Sequence, residues 1–359
     1  MFLMLKDIEI MYIDIEDCVV ETIRLDLLPY SLRHLNNLSP FKKLDTVLDW
    51  MSNRMLSLSR DNAKVIYNMF NMSQTNTRQT RVDACVKCHG ISVTDSYWIK
   101  VNDTEVWDKM NIRLNNFKDI VSIALAGENP SFTVNPEHPE LTSKGLFRKA
   151  WIRDSDGKLW LLKSDKTNTS INTKMEVLAS KVLDCFTNLE HIEYTMLNDS
   201  ICKCCNFVTE DVSFVEAKEL MDYCHDANID YVDYCLNKFG SSFANITIID
   251  YIIANTDRHD GNYGFLMDNT TGELFSVAPL FDHNLSLVSD VIGNDVSNTL
   301  SQFLNTSDTI LDLAKKFYPY SDLKLDFNKF TELKEVFSDY PQVYTALRNR
   351  LLTLYNTLQ

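Results

Sequence analysis

The chain has 359 residues, 45% of them hydrophobic and 24% charged, the make-up of an ordinary globular protein with room for two or three compact units. A net charge of −15 disfavours direct binding to nucleic acid or to an anionic membrane, and no run of about 18 apolar residues offers a membrane span. Nine cysteines without a recognisable export signal point to thiols in a reducing cytoplasm.

Residues 1–125 read as an accessory region of mixed character. Asp7–Glu16 alternates as a strand, and the apolar run Cys18–Leu28 leads to Pro29. Leu44, Val47, Leu48, Met51 and Met55, then Ala63, Ile66, Met69 and Phe70, fall at helical spacing and predict two helices meeting near Ser57–Arg60. Cys85-Val86-Lys87-Cys88-His89 matches a haem-attachment pattern, but that chemistry requires export, and the match is read as coincidence. Cys202, Cys204 and Cys205 could join Cys85 and Cys88 in a zinc site. The second cluster lacks the Cys-x-x-Cys spacing, however, and buried thiols on an apolar strand are the plainer reading.

Gly127, Pro130, Pro136 and Pro139 mark a connector that opens a second region, 126–215. Leu141–Ile152 is predicted to run from a turn into a strand, followed by the tight turn Asp154-Ser155-Asp156-Gly157 and a second strand, Lys158–Lys163. Backbone donors in the turn around Gly145 suit a phosphate, although no Walker sequence and no Gly-x-Gly-x-x-Gly occurs. Lys163 ends the apolar strand where an ammonium group can reach the α- and β-phosphates of a nucleotide. Its expected partner is Glu176, at the start of a helical run through Phe186. Tyr194–Leu197 and Ile201–Val208 read as further strands, and Val212–Ala217 as the crossing into a helical region, 216–359. That region includes Ala217–His225, Tyr231–Phe239, Thr309–Phe317 and Tyr344–Leu358.

The most informative stretch is Ile246–Leu287. An apolar segment, Ile246–Ala254, is too continuous for a surface helix and predicts a buried one. It ends in the polar loop Asn255-Thr256-Asp257-Arg258-His259-Asp260-Gly261-Asn262. Strands are expected at Tyr263–Met267 and Leu274–Val277, around the turn Asp268–Gly272, and Ala278-Pro279-Leu280-Phe281-Asp282 follows. Helix and hairpin bring Asp257, Asn262 and Asp282 together. One carboxylate can accept a proton from a nucleophile, while an amide oxygen and a second carboxylate suit a hard cation against phosphates. Asp257 precedes Asn262 by the same five positions that separate base and metal-binding Asn in protein-kinase catalytic loops. His259 is read as orienting this loop or contacting phosphate, with a merely structural hydrogen bond to nearby backbone as the alternative.

At these residues the chain resembles the HipA-like serine/threonine kinases of bacteria, which carry Asn-Thr-Asp-x-His-x-x-Asn and then Ala-Pro-x-(Tyr/Phe)-Asp. Phosphoinositide kinases share the Asp-Arg-His-x-x-Asn portion. The order Asp-Arg-His, and His283-Asn284 after Asp282, separate the chain from ordinary eukaryotic protein kinases. The resemblance spans roughly residues 140–290. It implies an α+β, two-lobed kinase fold, with a small β-rich N-lobe and a helical C-lobe, and the residues before about 125 as an extra region. It implies Asp257, Asn262 and Asp282 as catalytic, Asn262 and Asp282 holding Mg2+, and Lys163, Glu176, Gly145 and His259 serving ATP. It also places an autophosphorylated residue at Thr142 or Ser143, and implies a protein substrate and a regulatory partner. The competing expectations are a lipid or small-molecule kinase with the same machinery, and a catalytically silent kinase fold that acts as a binding module.

Overall fold

The computed structural model describes residues 1–58, 63–114, 125, 138–142, 148–165, 167 and 170–357. Residues 128–137 of the connector 128–139 therefore lie outside the described residues, as do Ser143, Lys144 and Gly145. The chain forms two compact units. The first comprises Met1–Lys166, Cys205–Val215 and Met267–Leu274; the second comprises Thr167–Cys204, Glu216–Leu266 and Phe275–Gln359.

In the first unit, strands β1 (Phe2–Leu5), β2 (Ile8–Asp14), β3 (Val19–Thr22) and β4 (Tyr97–Lys100) form an antiparallel sheet in the order β3-β2-β1-β4. The apolar start Phe2-Leu3-Met4-Leu5 is a central strand, and burial of the successive residues Leu3, Met4 and Leu5, which point to alternate faces, explains its unbroken hydrophobicity. Helices Pro40–Arg54, Ala63–Met69 and Arg78–Lys87 accompany it, the third opening on Thr77, whose hydroxyl accepts from Thr80 N–H. Strands β5 (Arg148–Arg153) and β6 (Leu159–Ser164) form a hairpin across the Asp154–Gly157 turn, where Gly157 takes φ +83°. One core joins hairpin and sheet: Met4, Ile91, Val93, Trp98, Trp107, Ile112, Trp151 and Leu159 pack together.

The second unit is built around the helix Ser241–Ile252. Every residue from Phe243 to Ile252 is buried, as an all-round apolar helix requires. Helices Ala217–Asp226, Tyr231–Phe239, Ile310–Phe317, Phe327–Val336 and Pro341–Thr357 belong to it, as does Asn172–Leu183. Strands β7 (Tyr194–Asn198) and β8 (Ile201–Cys205) pair antiparallel. Strand β9 (Val212–Glu216) leads into the helix at Ala217. After the central helix come β10 (Gly264–Asp268) and β11 (Leu274–Val277), whose turn, Asp268–Gly272, lies in the first unit. All nine cysteines are thiols, and Cys85, Cys88, Cys202 and Cys204 are buried. Among the described residues, no three His, Cys, Asp or Glu side chains gather as metal ligands. No helix there is long and apolar enough to cross a membrane.

Candidate active site

The polar loop begins where the central helix runs out. Ala254 takes φ +53° and turns the chain out of the helix, and Asn255 N–H then donates to Asp250 O at 2.8 Å. The buried Asn255 side chain bonds in both directions. Its Nδ2 donates to Asp250 Oδ1 (3.1 Å), and its Oδ1 accepts from Asp257 N–H (3.1 Å). A fixed span thus separates the helix from Asp257.

Arg258 is the fastener. Only 1% exposed, it donates from Nε and Nη2 to the carboxylate of Asp250, at 2.9–3.1 Å. Its Nη1 donates at 2.7 Å both to Asn262 O and to Phe281 O. One guanidinium therefore ties the end of the loop, and the residue before Asp282, to the central helix. The planar fork of Arg allows this; a lysine ammonium lacks that geometry.

Asp257 is half-buried. Its Oδ1 accepts from Gln302 Nε2 at 3.1 Å, and Asn262 Nδ2 approaches Oδ2 at 3.5 Å while donating to Asp257 O at 2.8 Å. Burial pushes the Asp257 carboxyl above its usual range; the Asp282 charge adds to this, and His259, Gln302 and Arg258 oppose it. Asn262 is buried, with its amide nitrogen committed to Asp257. Its Oδ1 accepts no hydrogen bond among the described residues. His259 is 43% exposed at its side chain, and its Nδ1 accepts from Gly261 N–H at 3.0 Å, a bond inside the loop. A side chain at Gly261 would press on this ring, with its Cβ 3.0 Å from His259 Cε1.

Asp282 sits at φ +57°, a left-handed conformation held from several sides. Its N–H donates to Tyr194 Oη (3.1 Å), Leu280 bridges to His191, and Leu280 O accepts from Ile192 N–H (2.9 Å). The next residue, His283, donates its N–H to Glu176 Oε1 at 3.1 Å. Glu176 is fully buried, and its Oε2 lies 3.8 Å from Cys202 Sγ. It therefore steadies the backbone just after Asp282, a contact that its expected ion pair with Lys163 did not anticipate. Lys163 itself is buried on β6, opposite Lys149 in the hairpin register. Thr142 is buried as well, its Oγ1 donating to Ile91 O at 2.9 Å.

The second unit thus brings Asp257, Asn262, Asp282, His259 and Glu176 onto one framework. Lys163 belongs to the first unit, and Gly145 lies outside the described residues. The sequence reading missed the roles of Asp250, Asn255, Arg258, Tyr194 and Gln302. One signal was available: Asp250 is a lone charge inside an apolar helix, and a buried charge demands a partner.

Two carboxylates and an amide oxygen carried on one helix–loop–hairpin are the donor types that phosphoryl transfer with a hard cation uses. The match to a family model described as phosphatidylinositol 3- and 4-kinase spans residues 151–358, and the chain belongs to this family. Among solved structures, it resembles HipA in the complex of the Shewanella oneidensis MR-1 toxin–antitoxin system HipA, HipB and operator DNA. That likeness has 12% identity and a TM-score of 0.50, covering 97% of this chain and 91% of that one, and it shows a shared kinase-like fold. A Helicobacter pylori proinflammatory kinase, CtkA, matches at 19% identity with a TM-score of 0.39, over 56% of this chain and 89% of that one. No curated protein sequence matches the chain.

Proposed function

We propose that the protein transfers the γ-phosphoryl group of ATP to a Ser or Thr hydroxyl of a protein. The observation that carries this reading is the Arg258 fastening: the residue next to Asp257 holds Asn262 and the residue before Asp282 to one buried anion, Asp250. The acceptor's O–H bond breaks, with its proton passing to the Asp257 carboxylate. The new P–O bond forms as the bond from the γ-phosphorus to the β–γ bridging oxygen breaks, and ADP leaves. Mg2+, when bound, would neutralise charge on the phosphates. Asn262 Oδ1 and the Asp282 carboxylate are the hard oxygen donors suited to it, and Mg2+ needs only one or two carboxylates beside substrate phosphates. The roles of Lys163, Glu176, Gly145 and His259 toward ATP and a regulatory partner rest on the sequence resemblance, and a cytoplasmic setting on the nine cysteines. Autophosphorylation at Thr142 requires its turn, Pro139–Thr142, to open and release the buried hydroxyl; Ser143 lies outside the described residues.

The family's description favours a second reading, a phosphoinositide acceptor. The net charge of −15 counts against an anionic bilayer substrate. One experiment separates the two. Purified protein is incubated with γ-radiolabelled ATP and Mg2+, with dephosphorylated casein in one arm and phosphatidylinositol vesicles in the other, beside an Asp257→Ala variant. Label in casein or in the protein itself, lost in the variant, supports the protein-kinase reading. Label confined to lipid overturns it. Failure to bind Mg-ATP points to a silent binding module.

A further inference from the structure

Residues Thr299–Ile310 form a closed loop beside the site. Leu300 and Thr309 make an antiparallel bridge, Ser301 N–H donates to Asp308 O (3.0 Å), and Ile310 N–H donates to Thr299 O (3.0 Å). Within it Phe303 is buried against Tyr263, with ring centroids 4.8 Å apart, and against Phe243, at 5.6 Å. Tyr263 directly follows Asn262, and Phe243 lies on the central helix that leads to Asp257. The plug therefore enters the same core that carries the base. Leu304 follows at φ +62°, a left-handed conformation that a branched apolar residue adopts only where its surroundings impose it, and Asn305 continues at φ +50°.

Gln302 stands immediately before this plug. Its side chain donates Nε2–H to Asp257 Oδ1 at 3.1 Å, while Asn262 Nδ2 approaches Oδ2. Both oxygens of the base are therefore met by neutral amide donors, and each oxygen has a further lone pair for an incoming hydroxyl. A cation at residue 302 would make the carboxylate a weaker base, and an anion would repel it. An amide orients it with no net charge, and the hydrogen bond that lowers the carboxyl is outweighed by the burial that raises it.

We propose that Gln302 is a positioning residue for phosphoryl transfer: anchored through Phe303, it fixes the Asp257 carboxylate in the orientation that accepts the acceptor's proton. This rests on the phosphoryl-transfer reading above. Misaligning a base costs rate while leaving nucleotide affinity intact, because the contact matters only when the proton moves.

The test compares the wild type with Gln302→Met, which keeps the length but loses the donor, and with Gln302→Glu, which sets an acceptor against the carboxylate. Gln302 is exposed, so both variants should fold. With γ-radiolabelled ATP, Mg2+ and casein, kcat should fall about tenfold for Gln302→Met and further for Gln302→Glu, with KM for ATP within about twofold of wild type. Folded variants with wild-type kcat overturn the proposal. A second readout is independent of turnover: the side-chain amide resonances of Gln302 should shift and exchange faster in Asp257→Ala. Unchanged resonances overturn the contact itself. A wild type that shows the shift but transfers no phosphate supports the contact and counts instead against the transfer reading.

Discussion

Two loops on one stretch of chain are held in place by different physics. The loop Asn255–Asn262 is fixed by charge and directed hydrogen bonds: Arg258, Asp250 and Asn255 form a buried network in which each donor has its acceptor. The turn Asp268–Gly272, a few residues later, is fixed by close approach. Gly272 takes φ +71°, and a Cβ there would lie 1.9 Å from Asp26 O. Gly272 O accepts from Arg33 Nη2 at 2.6 Å and from Tyr30 Oη at 3.5 Å, while Asn269 N–H donates to Asp211 O at 2.9 Å. The first loop needs particular functional groups, whereas the second needs the absence of one. A network can be dismantled atom by atom with graded results, but a close approach tolerates nothing larger than hydrogen.

The largest effect should come from the chemistry that the first loop serves. On the proposed phosphoryl-transfer reading, Asp282→Asn removes a charge that would hold Mg2+, and Asn accepts the left-handed backbone at this position, so the fold should survive. Label transfer from ATP should drop by about three orders of magnitude with an unchanged melting temperature. Arg258→Met attacks the network itself and strands the Asp250 carboxylate in the core. A loss of about 3–5 kcal/mol is expected by urea unfolding, and adding Asp250→Leu should recover part of it, because two apolar groups leave no buried charge. Gly272→Ala challenges the close approach. It should cost about 2–4 kcal/mol from backbone strain and overpacking, and no second substitution that only restores a hydrogen bond should rescue it. The smallest effect is a displacement in pH. Because burial holds the Asp257 carboxyl above its usual range, the base is lost by protonation earlier as pH falls. The acidic limb of kcat should therefore lie at higher pH than about 4, the value of an ordinary Asp.

The site was legible in the sequence where its parts are local. That Asp257, Asn262 and Asp282 would lie on one framework was readable because their spacing, the apolar run before them and the hairpin between them all follow the chain. The strand at Leu274–Val277 and the helix at Tyr231–Phe239 were equally plain from patterning. What remained hidden was non-local. Tyr194 reaches Asp282 across 88 positions and Gln302 reaches Asp257 across 45, and no spacing rule connects such pairs. Local signals also failed in two ways. Phe2–Leu5 is apolar on both faces, so periodicity could not identify it as a central strand. The helix Arg78–Lys87 is largely polar and draws its order from Thr77 and from packing against its neighbours, not from an apolar stripe. As for the family, the Asp-Arg-His-x-x-Asn portion was common ground. The family match falls on the phosphoinositide-kinase side, while the likeness to HipA shows shared architecture alone.

The glycine at the hairpin tip also restricts how this sequence can vary. Tips of exposed hairpins are ordinarily where insertions and deletions accumulate, because nothing contacts them. Here residue 272 is seated against Asp26, Tyr30 and Arg33, so one added or deleted residue between Asp268 and Leu274 would misplace the seat. Relatives that keep a comparable N-terminal region should therefore keep both the glycine and the loop length. Relatives without it should be released from both, and an alignment of the two groups would show hairpin length segregating with the presence of that region.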